Sequence, residues 1–564
     1  MADIKQNPST NGQATSLPLT ITRLSLIRNV TRDTLAGMND VELSDPQYVE
    51  GTILQNIQNE ITLVNAARSG SKWKALDELL PVQIAEIIAA SYPVVRIMTG
   101  GISSDSDYDL LAIYQEDGDD KGIYMVSDEV FRKLARKYNY SLSMKQFDEM
   151  MNALRDMVPR VQPCREPNLI AVNNGIFDFD TKTLMPFSKE YVFMSKSRVD
   201  YNLNATNITI HNDEDGTDWD IESWMSTLSD DEDVVETLWQ VLGAIIRPNV
   251  PWGKSAWFYS ESGNNGKGTL CSLMRNLCGE GTYCSISLSD FSKDFMLEPL
   301  THSSAIIVDE NDVGTYIDRA ANLKAVVTGD VIQINRKFKQ PIAYQFRGFM
   351  VQCLNEMPRI KDKSDSFFRR QLFIPFTKCF TGAERKYIKQ DYLKRKEVLE
   401  YVMFKVLNMD YYELSTPEVC KEALAEYKTF NDPTRQFLDE ILPQLQWDLV
   451  PFTFLRDLYA AWYKKNINST RDGMKSMQVL TKDIVNLLKE YPEWECEDPR
   501  KNIRPGNKMD KPEWMIDEYK LEDWYSQTYK GPDRAKKCCT SLKSYYRGIV
   551  RVANPTVATQ VNND

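Results

Sequence analysis

Histidine is nearly absent from this 564-residue chain, which holds only His211 and His302. Its ten cysteines include no Cys-x-x-Cys pair, although Cys538 and Cys539 are adjacent. A zinc cluster of cysteine and histidine ligands is therefore not expected. No apolar run reaches the length that spans a membrane, and the chain does not begin with a signal-peptide pattern. We therefore expect a reducing, cytosolic compartment and no membrane partner.

An excess of positive charge is also lacking. Lysine and arginine together number 68 against 80 aspartates and glutamates, so the net charge is −12. This balance argues against nonspecific coating of nucleic acid, yet it permits a basic channel within an acidic body. An apolar content of 42% and a charged content of 26% are typical of globular proteins. The length allows about three or four domains.

A glycine-rich segment, residues 260–269, follows a strand-like run at 256–259 and opens an amphipathic helix. This order predicts a phosphate-binding loop. Glycine lets backbone N–H groups turn towards a polyphosphate, and the start of the helix is electropositive. We predict a nucleoside triphosphate as the ligand. The residues assigned to nucleotide binding are Gly263, Asn264, Asn265, Gly266, Lys267, Gly268 and Thr269.

Within this loop, Lys267 is expected to contact the β- and γ-phosphates. Two positions depart from the pattern GxxxxGK[ST]: Glu261 replaces the first glycine, and Gly268 replaces the Ser or Thr that normally meets Mg²⁺. Thr269 can still contribute to phosphate and Mg²⁺ binding, with the metal held through water or by a carboxylate elsewhere. The alternative is a glycine-rich turn without a ligand.

Two later strand-like runs end in polar side chains. Residues 305–308 are followed by Asp309 and Glu310, and residues 349–354 by Asn355. An acidic residue at such a strand end can hold Mg²⁺, and its neighbour can activate the attacking water. We assign Asp309 to the metal, Glu310 to the water, and Asn355 to the γ-phosphate or the water. The alternative for Asp309 and Glu310 is a buried strand that runs into a polar loop.

A basic pair, Arg369 and Arg370, precedes another apolar run at 371–376. If subunits form a ring, an arginine here can reach the γ-phosphate of a neighbour and stabilise charge in the transition state. Spacing does not separate the two arginines. Taken singly, each is more often an ordinary polar residue.

The succession of these motifs resembles superfamily 3 helicases, the AAA+-related class of viral and mobile-element replication proteins. Within that class, the chain is most similar to poxvirus-type and phage-type primase-helicases and to replication initiators of phage-inducible chromosomal islands. Residues 168–179 resemble the domain that precedes the motor, and the likeness covers roughly 165–435. The motifs that carry it are Gly263–Thr269, Val308-Asp309-Glu310, Leu323-Lys324 with Thr328-Gly329-Asp330, Leu354-Asn355-Glu356-Met357-Pro358, and Arg369-Arg370 with Ile374-Pro375-Phe376.

The resemblance implies an α/β P-loop AAA+-type motor, with a parallel sheet flanked by helices, that uses ATP and Mg²⁺. It implies a homo-hexameric ring that translocates on single-stranded DNA, usually 3′ to 5′. Lys267 and Thr269 become phosphate ligands, and Asn355 becomes a sensor. Arg370 becomes the trans-acting finger, with Arg369 as its competitor. It also implies a replication initiator of a phage, virus or mobile element in the cytoplasm of a bacterial host, with host replication proteins as further partners.

Apolar and polar side chains alternate along residues 331–346, which predicts a β-hairpin whose tip carries Arg336, Lys337, Phe338 and Lys339. From residue 324 to 378 there are eleven basic and four acidic residues. Such an excess suits a channel that tracks a nucleic-acid backbone. We therefore assign the tip to DNA binding; the alternative is a basic, solvated hairpin.

Sequence pattern together with the resemblance divides the chain into a disordered tail (1–20), an α+β N-terminal domain (21–160) and a strand-rich, then helical, pre-motor domain (161–245). The motor (246–430) and a winged-helix-like DNA-binding domain (431–564) follow. Within the pre-motor domain, we predict that residues 212–222 form an acidic loop. Ser229 is predicted to start a capping box for the helix that leads into the motor.

In the last domain, two helical stretches at 452–465 and 476–490 precede aromatic, strand-like pieces, and the second helix can enter a major groove. Lys536, Lys537, Lys543 and Arg547 lie in a basic C-terminal segment that we assign to duplex origin DNA. A packing domain with a solvated basic helix is the alternative.

Three other functions are weighed against the helicase. Asp107 and Asp109 form the one tempting acidic pair for primase chemistry, but no histidine lies near them in the sequence, so primase activity is not expected. A DNA-packaging or defence ATPase uses a similar phosphate loop. A nucleotide-gated DNA-binding scaffold would bind ATP with negligible turnover.

Overall fold

A computed structural model describes residues 22–100, 105–337, 339–362, 364–380, 385–466 and 475–552. The predicted tail, 1–20, therefore lies outside the described residues. None of the helices in the described ranges combines the length and apolar character needed to cross a membrane.

The N-terminal region packs helices against a small sheet of order β3-β2-β1-β4. The sequence predicts a hairpin of residues 109–114 and 122–126 around a turn at 116–121, and this is confirmed, because β2 and β3 pair antiparallel. It also predicts that Ser127 caps the next helix, with Asp128 and Glu129 in the first turn. Ser127 does cap α5, accepting a hydrogen bond from the Val130 N–H. The elements are α1 (Arg23–Ala36), α2 (Asp40–Leu43), α3 (Pro46–Ala67), α4 (Pro81–Ser91), β1 (Val94–Ile97), β2 (Leu110–Tyr114), β3 (Tyr124–Met125), α5 (Asp128–Tyr138), α6 (Met144–Met157) and β4 (Arg160–Val161).

The next region differs from two expectations. Residues 212–222 are not a loop, because β8 and β9 pair antiparallel and the buried Trp219 anchors this hairpin in the core. Helix α8 is capped by Asp231 rather than by the predicted Ser229, since the Asp231 carboxylate accepts from the N–H groups of Asp233 and Val234. The elements are β5 (Leu169–Val172), β6 (Gly175–Asp178), β7 (Thr183–Met185), β8 (Ile210–Asn212), β9 (Thr217–Trp219), α7 (Ile221–Ser226) and α8 (Glu232–Ile246).

A five-stranded parallel sheet forms the centre of the molecule, in the order β11-β12-β16-β10-β18. The carboxyl ends of its strands therefore meet at one edge, where ligands of open α/β sheets bind. The elements are β10 (Ser255–Tyr259), α9 (Lys267–Cys278), β11 (Tyr283–Cys284), β12 (Ala305–Val308), β13 (Tyr316–Ile317), α10 (Ala321–Thr328), β14 (Val331–Arg336), β15 (Lys339–Gln345), β16 (Phe349–Leu354), β17 (Arg359–Ile360), α11 (Asp365–Phe368), β18 (Gln371–Pro375), α12 (Lys386–Gln390), α13 (Lys396–Asn408) and α14 (Glu418–Asn431).

The sheet is buried on both faces. On one face, α8, α9 and α13 share a single apolar core with strands β5 and β6. On the other, side chains of β14, β15 and α14 pack against the sheet. The predicted pre-motor and motor domains therefore share one core, and α8 crosses the boundary expected at 245–246.

The C-terminal region builds a separate core around Trp447 and Phe454. Its sheet is antiparallel, in the order β19-β21-β20. Of the strand-like pieces expected between 491 and 525, only β20 forms a strand; the aromatic side chains pack inward from turns and short helices instead. The elements are α15 (Pro433–Ile441), β19 (Leu449–Pro451), α16 (Phe452–Asn466), α17 (Met477–Leu487), β20 (Trp494–Glu495), α18 (Met515–Glu518), α19 (Arg534–Lys537) and β21 (Gly548–Arg551).

One buried carboxylate fixes this C-terminal core. Glu513 is fully buried, and burial raises the pKa of its carboxyl group. Its oxygens accept from the N–H groups of Gln446 at 2.7 Å, Trp447 at 3.2 Å and Met515 at 3.3 Å. Removing the side chain would leave these donors without their acceptor.

We expect Glu513→Ala to lower the free energy of unfolding of this domain by about 3 kcal/mol, because each orphaned buried donor costs about 1–3 kcal/mol. Denaturant unfolding followed by tryptophan fluorescence measures the change, since Trp447 lies at the site. Glu518→Ala, at an exposed position nearby, is the control. Equal stability of the two variants would contradict the assigned role of Glu513.

Candidate nucleotide site and nucleic-acid surfaces

The glycine-rich segment forms a tight loop between β10 and α9. Gly266 has φ 88°, and a Cβ there would lie 2.6 Å from a methyl carbon of Leu228, so only glycine fits. Asn264 also adopts a positive φ, of 53°. Asn265 is buried; its Oδ1 accepts from the Lys267 N–H at 3.3 Å, and its amide donates to the Ser262 carbonyl. The side chain of Asn265 therefore holds the loop closed.

Lys267 and Asn355, predicted from separate motifs, are in direct contact. The Lys267 Nζ donates to Asn355 Oδ1 at 3.1 Å and to the carbonyls of Ser260 and Leu354, both at 3.2 Å. Lys267 is only 5% exposed, and burial lowers the pKa of its ammonium. The lysine is thus held by oxygen acceptors at the carboxyl ends of β10 and β16, where a polyphosphate can compete for it.

Asp309 follows β12 and lies against the start of α9. A Cβ at position 268 would be 2.9 Å from Asp309 Oδ1, so Gly268 leaves the space that the carboxylate fills. Asp309 also pairs with Arg275 at 3.5 Å. Carboxylate oxygens are ligands that Mg²⁺ prefers, so this position fits the metal role predicted for Asp309. Glu310 is exposed next to it.

A cavity of 610 Å³ adjoins the phosphate loop and was not predicted. Asn264, Gly266 and Thr269 of the loop line it, together with residues that include Trp219, Trp224 and Phe380. The Phe380 N–H donates to the Asn264 carbonyl at 2.7 Å, which ties this segment to the loop. The Trp219 Nε1 is buried and has no hydrogen-bond partner within the described ranges.

The arginine pair lies at the opposite end of the strands, where β10 and β18 begin. The carbonyl of Arg370 accepts from the N–H of Ser255, the first residue of β10. The Arg370 guanidinium donates to Ser366 Oγ at 2.7 Å and is partly buried, whereas Arg369 is exposed. Neither arginine lies near the phosphate loop of its own chain, because the five residues of β10 separate the arginine pair from the loop by about 16 Å.

The predicted basic hairpin is present as β14 and β15, paired antiparallel. Its Arg336 donates to the Gln340 carbonyl at 3.1 Å, and Phe338 lies outside the described residues. The Lys339 Nζ pairs with Asp128 of the N-terminal region at 2.7 Å. The hairpin therefore rests against α5, and the DNA-binding roles of Arg336, Lys337 and Lys339 stay predictions.

The C-terminal basic segment is mostly irregular, with one short helix, α19. Lys536, Lys543 and Arg547 are exposed. Lys537 is half-buried and pairs with Asp517 at 3.5 Å. Arg547 donates to the side chain of Asn502 at 3.2 Å. Three of the four predicted cations therefore face solvent, and the fourth is engaged within the domain.

One member of the acidic pair considered for primase chemistry, Asp109, has a structural role. The Asp109 side chain is fully buried and pairs with Arg160 at 2.7 Å and 3.0 Å. Its neighbour Asp107 is exposed. Asp109 is thus committed to an ion pair between β2 and β4.

Comparisons with known proteins match two parts of the chain. Residues 96–230 match a family described as D5 N terminal like, and residues 258–370 match a family of unknown function, DUF5906. Among solved structures, the apo structure of NrS-1 C terminal region (305–718) is similar with a TM-score of 0.40 and 13% identity, over 76% of this chain and 98% of that one. The A form apo structure of NrS-1 C terminal region-CTR gives a TM-score of 0.38 and 13% identity, over 73% and 90%. The D5 N terminal like match supports, at the level of family, a replication protein of the phage primase-helicase type.

Proposed function

We propose that this chain is an ATP-driven DNA helicase that initiates replication of a phage, virus or mobile element. One observation carries the proposal. The lysine of the phosphate loop bonds Asn355 at the end of β16, and Asp309 at the end of β12 lies against the same loop. Three polar groups far apart in sequence therefore converge at the carboxyl edge of a parallel sheet, where a nucleoside triphosphate binds.

Each residue has a distinct part in hydrolysis. Lys267 exchanges its carbonyl acceptors for the β- and γ-phosphates, and Asn355 then becomes available to the γ-phosphate or the water. Glu310 orients the water and takes its proton. Asp309 holds Mg²⁺, together with Thr269; the metal, when bound, supplies positive charge next to the phosphates.

An arginine completes the site from a neighbouring subunit. Because Arg369 and Arg370 lie at the amino edge of their own sheet, they can serve only the γ-phosphate of another chain. This geometry favours a homo-hexameric ring of AAA+-type motors with ATP at each subunit boundary. The exposed Arg369 is free to reach outward, whereas Arg370 must first leave Ser366.

The cavity beside the loop is proposed to hold the nucleobase. Its aromatic residues, among them the half-buried Phe380, offer stacking surfaces for a base.

We expect Phe380→Ala to weaken ATP binding at least about 5-fold, since stacking of a base on an aromatic ring contributes about 1 kcal/mol or more. Titration with a fluorescent ATP analogue measures the change. Phe295→Ala, at an exposed phenylalanine that does not line the cavity, is the matched control. Unchanged affinity of Phe380→Ala would show that the base lies elsewhere.

Single-stranded DNA is proposed to pass through the ring and to contact the β14–β15 hairpin, with translocation 3′ to 5′. Lys337 and Lys339 at the tip would follow the phosphates, aided by Arg336 and Phe338. To engage DNA, Lys339 must exchange its bond to Asp128 for one to a phosphate.

Stimulation of ATP hydrolysis by single-stranded DNA tests this proposal. We expect DNA to raise the native rate, and the double variant Lys337→Ala, Lys339→Ala to lose most of that stimulation, because both phosphate contacts are removed. Lys145→Ala, an exposed lysine on α6, serves as control. Equal stimulation of all three proteins would exclude the hairpin as the DNA contact.

The C-terminal region is proposed to bind duplex origin DNA. Its order of helix, strand, two helices and two strands (α15, β19, α16, α17, β20, β21), with the short helices α18 and α19 between the last two strands, supports a winged-helix-like fold, with α17 as the helix that enters the major groove. Lys536, Lys543 and Arg547 would contact phosphates, joined by Lys537 if it leaves Asp517. Such an initiator would act in the cytoplasm of a bacterial host, together with host replication proteins.

A further inference from the structure

Two buried thiols lie directly beneath the nucleotide site. Cys271 is in α9, one helical turn after Lys267, and Cys353 is in β16, two residues before Asn355. Their Sγ atoms are 3.3 Å apart, and the two residues are 0% and 1% exposed. A carboxylate oxygen of Asp309 and the two sulfurs all lie within 4.8 Å of one another. Neither thiol has a part in the hydrolysis described above.

The two thiols share a hydrogen bond, and the separation of their sulfurs shows which of two chemistries would need the smaller movement. In a disulfide the sulfurs are about 2.05 Å apart. Two thiolates on a tetrahedral zinc ion, each at about 2.3 Å, are about 3.8 Å apart. The observed 3.3 Å is closer to the second value, so a metal ion can enter with a smaller displacement of α9 against β16.

Nearby positive charge compensates the ligands. Two thiolates and one carboxylate carry three negative charges, of which a divalent ion neutralises two. The Lys267 ammonium, which interacts electrostatically with all three groups, and the Arg275 guanidinium, which pairs with Asp309 at 3.5 Å, more than neutralise the third. Asp309 is the partly exposed member of the set, at 35% of its side chain, and gives the ion an entry from solvent.

We propose that Cys271, Cys353 and Asp309 form an inhibitory site for a thiophilic divalent cation, with zinc as its biological ligand. Binding forms two metal–sulfur bonds and one metal–oxygen bond, and it releases the two thiol protons to solvent without any oxidation. A water molecule completes the tetrahedron. Because the ion takes Asp309, it excludes Mg²⁺ from that carboxylate and stops ATP hydrolysis.

Cobalt(II) is the probe, because its thiolate complexes absorb in the near ultraviolet and visible range. We expect metal-free protein without nucleotide to develop a charge-transfer band that saturates at one cobalt per chain and disappears on addition of zinc. Cys353→Ser should lose the band. Cys278→Ser, which removes another buried cysteine of α9, should retain it.

A second variant tests the site if Cys353→Ser does not fold. Asp309→Asn keeps both thiols, and we expect it to bind cobalt at least about tenfold more weakly, as loss of a ligand group requires. Thermal unfolding of each variant verifies that it is folded. No band in the native protein would overturn the proposal. A band that Cys353→Ser retains would also overturn it, because the ion would then sit on the exposed Cys379 or Cys539.

Hydrolysis supplies a second readout. We expect zinc to inhibit the native ATPase, a chelator to restore it, and excess Mg²⁺ to raise the zinc concentration needed. Cys353→Ser and Cys278→Ser are each compared with their own rate in zinc-free buffer. The cobalt band is read without ATP, so failure of the metal site leaves the proposed motor intact. Failure of the motor, in turn, leaves the cobalt band unaffected.

Discussion

Replacing Lys267 with alanine is expected to lower the rate of ATP hydrolysis by at least about 10²- to 10³-fold, the loss typical when one preorganised donor to a developing negative charge is removed. The effect should be large because the ammonium is buried and already oriented by three oxygen acceptors at 3.1–3.2 Å. Water cannot replace it at that depth. Phosphate release measures the rate, and a fluorescent ATP analogue measures the accompanying loss of affinity.

The matched control is Lys254→Ala. Lys254 precedes β10 at the amino edge of the sheet, its pKa is likewise lowered by burial, and it donates to Thr416 at 2.8 Å. Since it lies at the other end of the strand from the phosphate loop, we expect Lys254→Ala to keep most of its turnover. Similar losses in both variants would show that removal of a lysine whose pKa is lowered by burial, rather than of a phosphate contact, explains the result.

Glu310→Gln is expected to bind ATP and to lose at least about 10²-fold in turnover, because an amide cannot take the proton of the attacking water. Glu310 is exposed beside Asp309 and is therefore placed to meet a water at the γ-phosphate. Single-turnover hydrolysis, measured alongside nucleotide affinity, separates chemistry from binding.

Glu356→Gln is the control for this second variant. Glu356 also follows a strand of the same sheet, but its carboxylate accepts from the Gly314 N–H at 3.0 Å and has a structural partner. We expect it to retain most of its turnover. If Glu310→Gln behaved like the native protein, the chain would be a nucleotide-gated scaffold rather than a motor.

The phosphate loop could be predicted because its signal is contiguous. Strand, glycine turn, Lys267 and helix follow one another without interruption, so local rules of backbone geometry suffice. Helices such as α5 and α16 were likewise confirmed, because periodicity and caps are local. The contact between Lys267 and Asn355 followed from the parallel order of the strands, since successive carboxyl ends must meet at one edge.

Other features depend on contacts that no local pattern encodes. The cavity beside the loop combines Trp219 and Trp224 with Phe380, which lies more than 150 residues away in sequence. The bond between Lys339 and Asp128 joins residues 211 positions apart. Residues 212–222 were expected to be a loop because they are acidic, yet Trp219 and its cross-strand partner Ile210 are buried and anchor a hairpin there.

The same limit applies to the two cysteines. The search for metal ligands in the sequence relied on close spacing, such as Cys-x-x-Cys, and therefore indicated no zinc cluster. Cys271, Asp309 and Cys353 come from a helix, a strand end and a second strand, and only the packing of α9 on the sheet brings them together.

The most direct test of the proposed function is ATP-dependent displacement of a labelled strand from a forked DNA duplex, with Lys267→Ala measured in parallel. We predict displacement by the native protein on the fork whose 3′ tail is loaded, and none by the variant. If ATP is hydrolysed but no strand is displaced on forks of either polarity, the helicase proposal is wrong. A DNA-packaging or defence ATPase would then account better for the site.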